Sequence, residues 1–357
     1  MKCNLDCSYC SSDLYGGHLN SVPHPPLDQC LKTIDFMFDY VDLYMQQRRK
    51  ALHHVVLNVY GGESLYHPHI VTLLEQVRSK HQSYQSRWSL TVTTTTNAVV
   101  SSQQLAKIIP LIDEFTVSYH SEAKDSQKQQ FKKNLLAIQQ SNKRLKCVVL
   151  MHADDEKFAD SQAMIQWLAD HDIKYLPRQL DHSASRTDLN YTQQQVVWFE
   201  NLYKNKSYVK KFDLPPLIHK DNAIDLSASG RACCGGRQLC ANQQHSQRVF
   251  YVDNHFKDWF CSVNHFFLFI KQVTGEIFVN KDCKMNFAEQ IAPIGNVDRS
   301  DDLLAWTKQH LQNKTMPVIK CQKQRCYCGL CAPKAQSLKT YHEILGKYEI
   351  STANLLS

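Results

Sequence analysis

The chain has 357 residues, 43% of them hydrophobic and 21% charged, a balance that excludes a disordered or collagen-like protein and leaves room for two domains. Its formal charge of +7 is mild and scattered over runs such as Arg48-Arg49-Lys50 and Lys210-Lys211, which read first as solvated faces and second as a surface for an acidic substrate or nucleic acid. No stretch approaches 18 consecutive apolar residues and Met1-Lys2-Cys3 opens no signal-peptide core, so no membrane partner and a cytoplasmic location are expected.

Leu31, Ile34, Phe38, Val41 and Met45 recur at helical spacing and predict an amphipathic helix over 27–48. The β-branched run from His54 to Tyr60 predicts a buried strand. Helices over 67–81, 102–110, 127–141 and about 160–170 then alternate with strands over 89–95, 115–120, 147–152 and 173–180. That alternation implies parallel strands joined by right-handed crossovers. Five strands are legible, and a sixth is expected before Cys3, either very short or upstream of this Met. After residue 181 the rhythm changes. Thr192 and Gln195 form a capping-box pattern that opens a helix over 193–204, and Leu214-Pro215-Pro216 breaks it. From Gly230 onward the chain is rich in Cys, Gly and aromatics. The expected organisation is a first domain over 1–181, a linker with a helix over 182–228, a cysteine-rich domain over 229–334 and a terminal helix or tail over 335–357.

Fourteen cysteines in a chain without a secretion signal point to metal ligands or catalytic groups rather than disulfides. Cys3-x3-Cys7-x2-Cys10 sets three thiols within eight residues. A [4Fe–4S] cluster normally takes one thiolate per iron, so three local ligands leave one iron open, as a catalytic zinc keeps an open position. Zinc held by the same three cysteines and a remote His is the alternative reading. With Tyr9 just before the last cysteine, and with Tyr60-Gly61-Gly62-Glu63 ending the next strand, the segment resembles the radical S-adenosylmethionine superfamily. Glycines at such a place let the backbone approach a ligand, and Glu63 sets a carboxylate at a strand end, where α/β barrels build their sites.

The resemblance covers roughly residues 1–180. It implies an α/β fold, a partial (β/α)6 TIM-like barrel, with Cys3, Cys7 and Cys10 holding a [4Fe–4S] cluster. It also implies that S-adenosylmethionine is bound near Tyr9, with its amino group at Gly61, Gly62 and Glu63. Its carboxylate and ribose would fall to strand-end residues such as Asn97, Ser118 and His120. Simple strand-end capping is the other reading of Asn97 and Ser118. Arg178 either pairs with a cofactor carboxylate or joins a structural ion pair. The implied chemistry is one-electron cleavage of S-adenosylmethionine to methionine and a 5′-deoxyadenosyl radical, which abstracts a hydrogen atom from a substrate.

A second cysteine region follows. Thr274-Gly275-Glu276 reads as a hairpin turn between Cys261 and Cys283, Gly295-Asn296-Val297 comes after it, and Cys321-x4-Cys326-x-Cys328-x2-Cys331 closes the region. The arrangement resembles the SPASM or twitch extension of the same superfamily, and implies a C-terminal cysteine-rich α+β auxiliary-cluster domain. It departs from the usual pattern in the seven residues between Gly275 and Cys283 and in the spacing of the final run. Cys233 and Cys240 add further ligands. Cys233 and Cys234 do not easily serve one cluster together, which makes Cys234 a candidate hydrogen donor to a substrate radical. One or two auxiliary [4Fe–4S] clusters are expected, with structural zinc as the alternative. Cys30 and Cys147 read as ordinary buried cysteines.

Enzymes resembling this arrangement often modify peptides. The first functional expectation is therefore an oxidoreductase-type maturase of a ribosomally made peptide or protein. It would be served by an electron donor such as flavodoxin or ferredoxin and, since no leader-binding domain is legible before the barrel, by a separate leader-peptide recognition protein. The alternatives are dehydrogenation or rearrangement of a small molecule or sugar, nucleic-acid modification, and a non-catalytic zinc scaffold. Against nucleic acid stands the lack of interleaved aromatic and basic residues.

Overall fold

A computed structural model describes residues 2–10, 23–48, 53–180, 190–204, 223–224, 256–280, 283, 286, 288, 292–322 and 334–346. In chain order the elements are α1 (Leu27–Met45), β1 (His54–Val59), α2 (Ile70–Gln82), β2 (Ser89–Thr96), α3 (Ser102–Ile108), β3 (Glu114–His120), α4 (Asp125–Gln140), β4 (Arg144–Met151), α5 (Asp155–Asp170), β5 (Tyr175–Gln179) and α6 (Gln193–Lys204). There follow β6 (Ala223–Ile224), β7 (Phe260–Cys261), α7 (Val263–Phe266), β8 (Phe269–Lys271), β9 (Glu276–Phe278), β10 (Gly295–Asn296), α8 (Ser300–Gln312), β11 (Ile319–Lys320), β12 (Lys334–Ala335) and α9 (Leu338–Gly346). Among the described residues no helix is long and apolar enough to cross a membrane.

The chain divides into two compact units. The first takes Met1–Pro26, Val56–Ser79 and Leu90–Tyr208. Five strands lie side by side in sequence order, β1 to β5, and β2 to β5 pair in parallel. The parallel pairing is the one expected from the alternation of strands and helices, and the α/β sheet agrees with the partial barrel that the resemblance implies. The sixth strand expected before Cys3 is not formed among the described residues. The Lys2 carbonyl instead accepts one hydrogen bond, from the Glu63 amide at 2.9 Å.

Period-two alternation decides which face of the sheet is free. In β3, Phe115, Val117 and Tyr119 are buried, and α4 packs on that strand with Phe131 edge-on to Tyr119. Thr116, Ser118 and His120 stand on the other face. Register carries that face across the sheet, pairing Ser118 with Val148 and His120 with Leu150, and Leu150 in turn with Arg178. The capping box that opens α6 is formed as expected: Thr192 N–H donates to Gln195 Oε1 and Gln195 N–H to Thr192 Oγ1.

The second unit takes Leu27–Val55, Lys80–Ser89 and Val209–Ser357. Helix α1 belongs here. Its Phe36, Tyr40 and Tyr44 share a core with Ile277 of β9, Val297, Leu303 and Leu311 of α8, and Met316. Strands β8, β9 and β10 form an antiparallel sheet whose turn is made at Gly275, at φ +69. A Cβ there would lie 2.9 Å from the Asn296 side-chain oxygen, so another residue would strain the left-handed backbone and displace the Asn296 amide. A second small sheet runs β11-β7-β12-β6, and below it Cys261, Cys283 and Cys321 are buried in one apolar core with Phe256, Val263 and Tyr341. Small antiparallel sheets with helices give the expected α+β character. Cys30 and Cys147 are fully buried, each within its own unit.

Candidate active site

The loop from Cys3 to Cys10 contains no helix or strand, so side chains must hold it. Asn4 is one anchor: its Oδ1 accepts from Asn97 Nδ2 at 2.7 Å, its own amide donates to the Val99 carbonyl, and Gln127 Nε2 donates to its carbonyl at 3.2 Å. The cysteine loop thereby rests on the C-terminal end of β2, where Asn97 follows the last strand residue. Asn97 is itself locked, because its Oδ1 accepts from Val99 N–H at 2.9 Å.

The loop reaches β3 through His120. Its Nδ1 lies 3.0 Å from the Tyr9 hydroxyl and 3.3 Å from Cys7 Sγ, and its Nε2 lies 2.9 Å from Ser118 Oγ. The Ser118 hydroxyl has one proton, which it donates to the Thr96 carbonyl at 3.3 Å. With that proton given to the Thr96 carbonyl, Ser118 accepts from His120 Nε2–H and Nδ1 turns a lone pair toward Tyr9 and Cys7. Burial pushes the His120 imidazole down to about 4, so it is neutral at physiological pH. Burial, with the charges at Cys7 and Glu122, raises the Tyr9 phenol well above its ordinary value.

Glu63 is fully buried, and its carboxylate points into the protein. One oxygen accepts from Leu65 N–H at 3.0 Å and from the Thr96 hydroxyl at 2.6 Å, and the other accepts from Asn97 N–H at 2.6 Å. Burial still outweighs those three bonds and raises the carboxyl to about 7. Gly61 and Gly62, at φ +108 and +55, make the turn that carries the chain from β1 to this position. Arg178 is exposed on the free face of β5, in register with Leu150.

Two further residues complete the arrangement. Thr96 links Glu63 to the turn after β2, accepting from Ala98 N–H at 2.8 Å while its own proton goes to Glu63. Glu122, just past β3, takes Ser8 N–H on one oxygen at 2.6 Å and the Ser8 hydroxyl on the other at 2.7 Å, with Lys157 Nζ at 2.9 Å. Burial alone would raise this carboxyl, but the bonds from Lys157 and Ser8 hold it below the usual carboxylate range. Thr96 belongs to the hydroxyl-rich strand end Thr93 to Asn97, whereas the hint for Glu122 is that it lies two residues beyond the strand-end His120.

Cys3, Cys7 and Cys10 gather in an apolar cluster with Leu5, Tyr9, Leu150 and Leu180. Burial and the neighbouring acidic groups push the Cys3 thiol up to about 11 and the Cys7 thiol up to about 12. Three thiols gathered against apolar side chains, Cys7 buried and Cys3 and Cys10 half-buried, suit a cationic centre that takes thiolates and releases their protons. Among the described residues no three His, Cys, Asp or Glu side chains converge as a single ion requires. A cubane takes one thiolate per iron, and three cysteines within eight residues are donors of that chemistry. In the second unit Cys261 and Cys321 lie on one face of the small sheet, since Ile319 pairs with Cys261 and the Cys321 amide donates to the Trp259 carbonyl. Cys233, Cys234, Cys240, Cys326, Cys328 and Cys331 lie outside the described residues.

Comparison with solved structures places this geometry. His-tagged anSMEcpe with bound AdoMet matches at a TM-score of 0.51 and 12% identity, over 87% of this chain and 79% of that one. Native anSMEcpe with bound AdoMet and the Kp18Cys peptide matches at 0.50 and 12%, over 86% and 78%. The chain shares the fold of these AdoMet-bound structures. Streptococcus suis SuiB bound to S-adenosylmethionine aligns at a TM-score of 0.44 and 13% identity over 79% of this chain. The chain spans 58% of that SuiB structure and 45% of another. The sequence matches no family profile and no curated protein.

Proposed function

We propose that this chain is a radical S-adenosylmethionine enzyme that acts on a peptide or protein. The observation that carries the reading is the meeting of the three-cysteine loop with the ends of β2 and β3. Asn4 is bonded to Asn97, and Cys7 and Tyr9 approach His120. Cys3, Cys7 and Cys10 would hold a [4Fe–4S] cluster. When bound, that cluster supplies the electron, delivered by a flavodoxin- or ferredoxin-type donor, that splits S-adenosylmethionine into methionine and a 5′-deoxyadenosyl radical able to take a hydrogen atom from substrate carbon.

The chain's own residues position that chemistry. Gly61 and Gly62 bring backbone, free of side chains, to the end of β1, where the methionine amino group would dock. Glu63 holds that turn against Thr96 and Asn97. Ser118 and His120 offer oxygen and nitrogen on the free face of the sheet, and Arg178 sets a cation on the same face. Leu5, Leu150 and Leu180 keep water from the thiols.

A peptide or protein substrate is favoured because the anSMEcpe structure of the same fold holds a peptide together with AdoMet. Cys261, Cys283 and Cys321, with the remaining C-terminal cysteines, would hold one or two auxiliary clusters, with Cys234 as a possible hydrogen donor. A separate protein would present the peptide.

The test is anaerobic reconstitution of the intact chain and of a variant with Cys3, Cys7 and Cys10 changed to Ala. Iron, sulfide and zinc are counted, then reductant and S-adenosylmethionine are added and 5′-deoxyadenosine is measured. About eight to twelve irons per chain are expected, with about four lost in the variant and 5′-deoxyadenosine formed only by the intact chain. Zinc in place of iron, or a loaded chain that forms no 5′-deoxyadenosine, would overturn the reading.

A further inference from the structure

Ser8 stands between Cys7 and Cys10, and one carboxylate takes both of its protons. Glu122 Oε2 accepts the Ser8 amide at 2.6 Å and Oε1 accepts the hydroxyl at 2.7 Å. Two bonds to one residue through separate oxygens fix the Ser8 backbone and its χ1 together. Within the loop Cys10 N–H donates to the Cys7 carbonyl at 3.1 Å, and the Glu122 clamp joins this turn and the Asn4 anchors in giving the order that secondary structure gives elsewhere.

The clamp carries charge in a dry place. The Glu122 side chain is 12% exposed and Lys157 Nζ sits 2.9 Å from its Oε1. His152 is the third group facing it. Its Nδ1 accepts from Asp154 N–H at 2.9 Å, which puts the proton on Nε2, 3.6 Å from Glu122 Oε1 and beyond hydrogen-bond distance. Burial and the Lys157 charge lower the His152 imidazole, so it adds a dipole and no charge. Lys157 comes from the first turn of α5 and Glu122 from the loop after β3, so two barrel elements converge beneath the cysteine loop. Nearby charge and hydrogen bonding are the means by which a protein tunes an iron–sulfur centre.

We infer that Glu122, paired with Lys157, is the positioning residue that shapes the cysteine loop and sets the reduction potential of the cluster bound there. The inference rests on the proposed cluster at Cys3, Cys7 and Cys10. Reduction adds negative charge to the centre. A carboxylate nearby opposes it and an ammonium favours it. The two members of the pair therefore act with opposite sign, which a purely structural role would not produce.

The experiment uses the full chain as wild type, E122Q, K157M and the double variant, each reconstituted anaerobically. Iron and sulfide are counted, the empty proteins are melted by circular dichroism, and the midpoint potential of the S-adenosylmethionine-responsive cluster is read by electron paramagnetic resonance. E122Q is expected to move the potential to more positive values, K157M to more negative values, and the double variant to fall between them. K157M keeps both Ser8 bonds, so it decides the charge role if E122Q melts early or does not load. Loaded K157M at the wild-type potential, or both single variants moving in the same direction, overturns the inference. A wild-type chain that takes up no cluster overturns the proposed function, and this inference with it.

Discussion

The Asn97 amide donates to the Glu63 carboxylate at 2.6 Å, joining the turn after β1 to the turn after β2. Asn97 then holds Asn4, so the buried glutamate reaches the cysteine loop through a single intervening side chain.

That linkage has a pH signature. The Glu63 carboxyl is raised to about 7 in the folded chain against about 4.5 for the ordinary group. The folded state thus binds more protons than the unfolded state between these values, and stability falls as pH rises through that window. A rise of that size corresponds to about 3 kcal/mol. The melting temperature of the cluster-free wild-type chain, taken relative to that of Glu63→Gln at the same pH, is expected to drop from pH 4.5 to 7.5. Glu63→Gln cannot titrate, so the difference isolates this group from the opposing contribution of His120.

His120 runs the other way. Its imidazole is lowered to about 4, so between that value and its ordinary 6.5 the unfolded chain binds the proton and the folded chain does not. Stability from this group is lost as pH falls through the window. Nitrogen-15 NMR of labelled histidine should show one ring, absent in His120→Gln, that stays neutral at pH 5.5 as the Nε2–H tautomer. Ser118→Ala removes the acceptor that selects this tautomer and should shift the population toward Nδ1–H.

The two glycines before Glu63 are unequal. Gly62, at φ +55, lies in the left-handed region that other residues visit at modest cost, whereas Gly61, at φ +108, lies outside it. Gly61→Ala should destabilise the chain by about 2–3 kcal/mol and Gly62→Ala by about 1 kcal/mol, read from urea denaturation.

In the second unit Asp42 accepts from Trp88 Nε1 at 3.2 Å and from Gln46 Nε2 at 2.9 Å, and pairs with Arg87. Asp42→Ala leaves the buried indole N–H without its acceptor. Because Arg87 is half-exposed, the loss should be about 1–3 kcal/mol rather than the larger cost of breaking a fully buried pair. Trp88 fluorescence should shift to the red in the same variant.

Much of this architecture was legible from the chain alone because it depends on local spacing. The strands and helices of the first 180 residues follow from apolar period, the α6 cap from Thr192 and Gln195, and the β8–β9 turn from Gly275. The three-cysteine spacing and the Gly-Gly-Glu after β1 marked two segments of the candidate site. Tertiary structure decided the rest. The spacing of Leu31, Ile34, Phe38, Val41 and Met45 marks an apolar helix face, but only the fold sets Phe36, Tyr40 and Tyr44 of the same helix against Ile277, Leu303 and Leu311. Glu63 reads from sequence as a carboxylate offered at a strand end; the fold turns it inward onto Leu65, Thr96 and Asn97. Glu122 is one acidic residue among 34 until β3 brings it beneath Ser8, 114 positions earlier in the chain. Period and capping act over a few residues and are written in order along the sequence. Hydrogen bonds between distant loops depend on where strands end in space, and no local pattern records that.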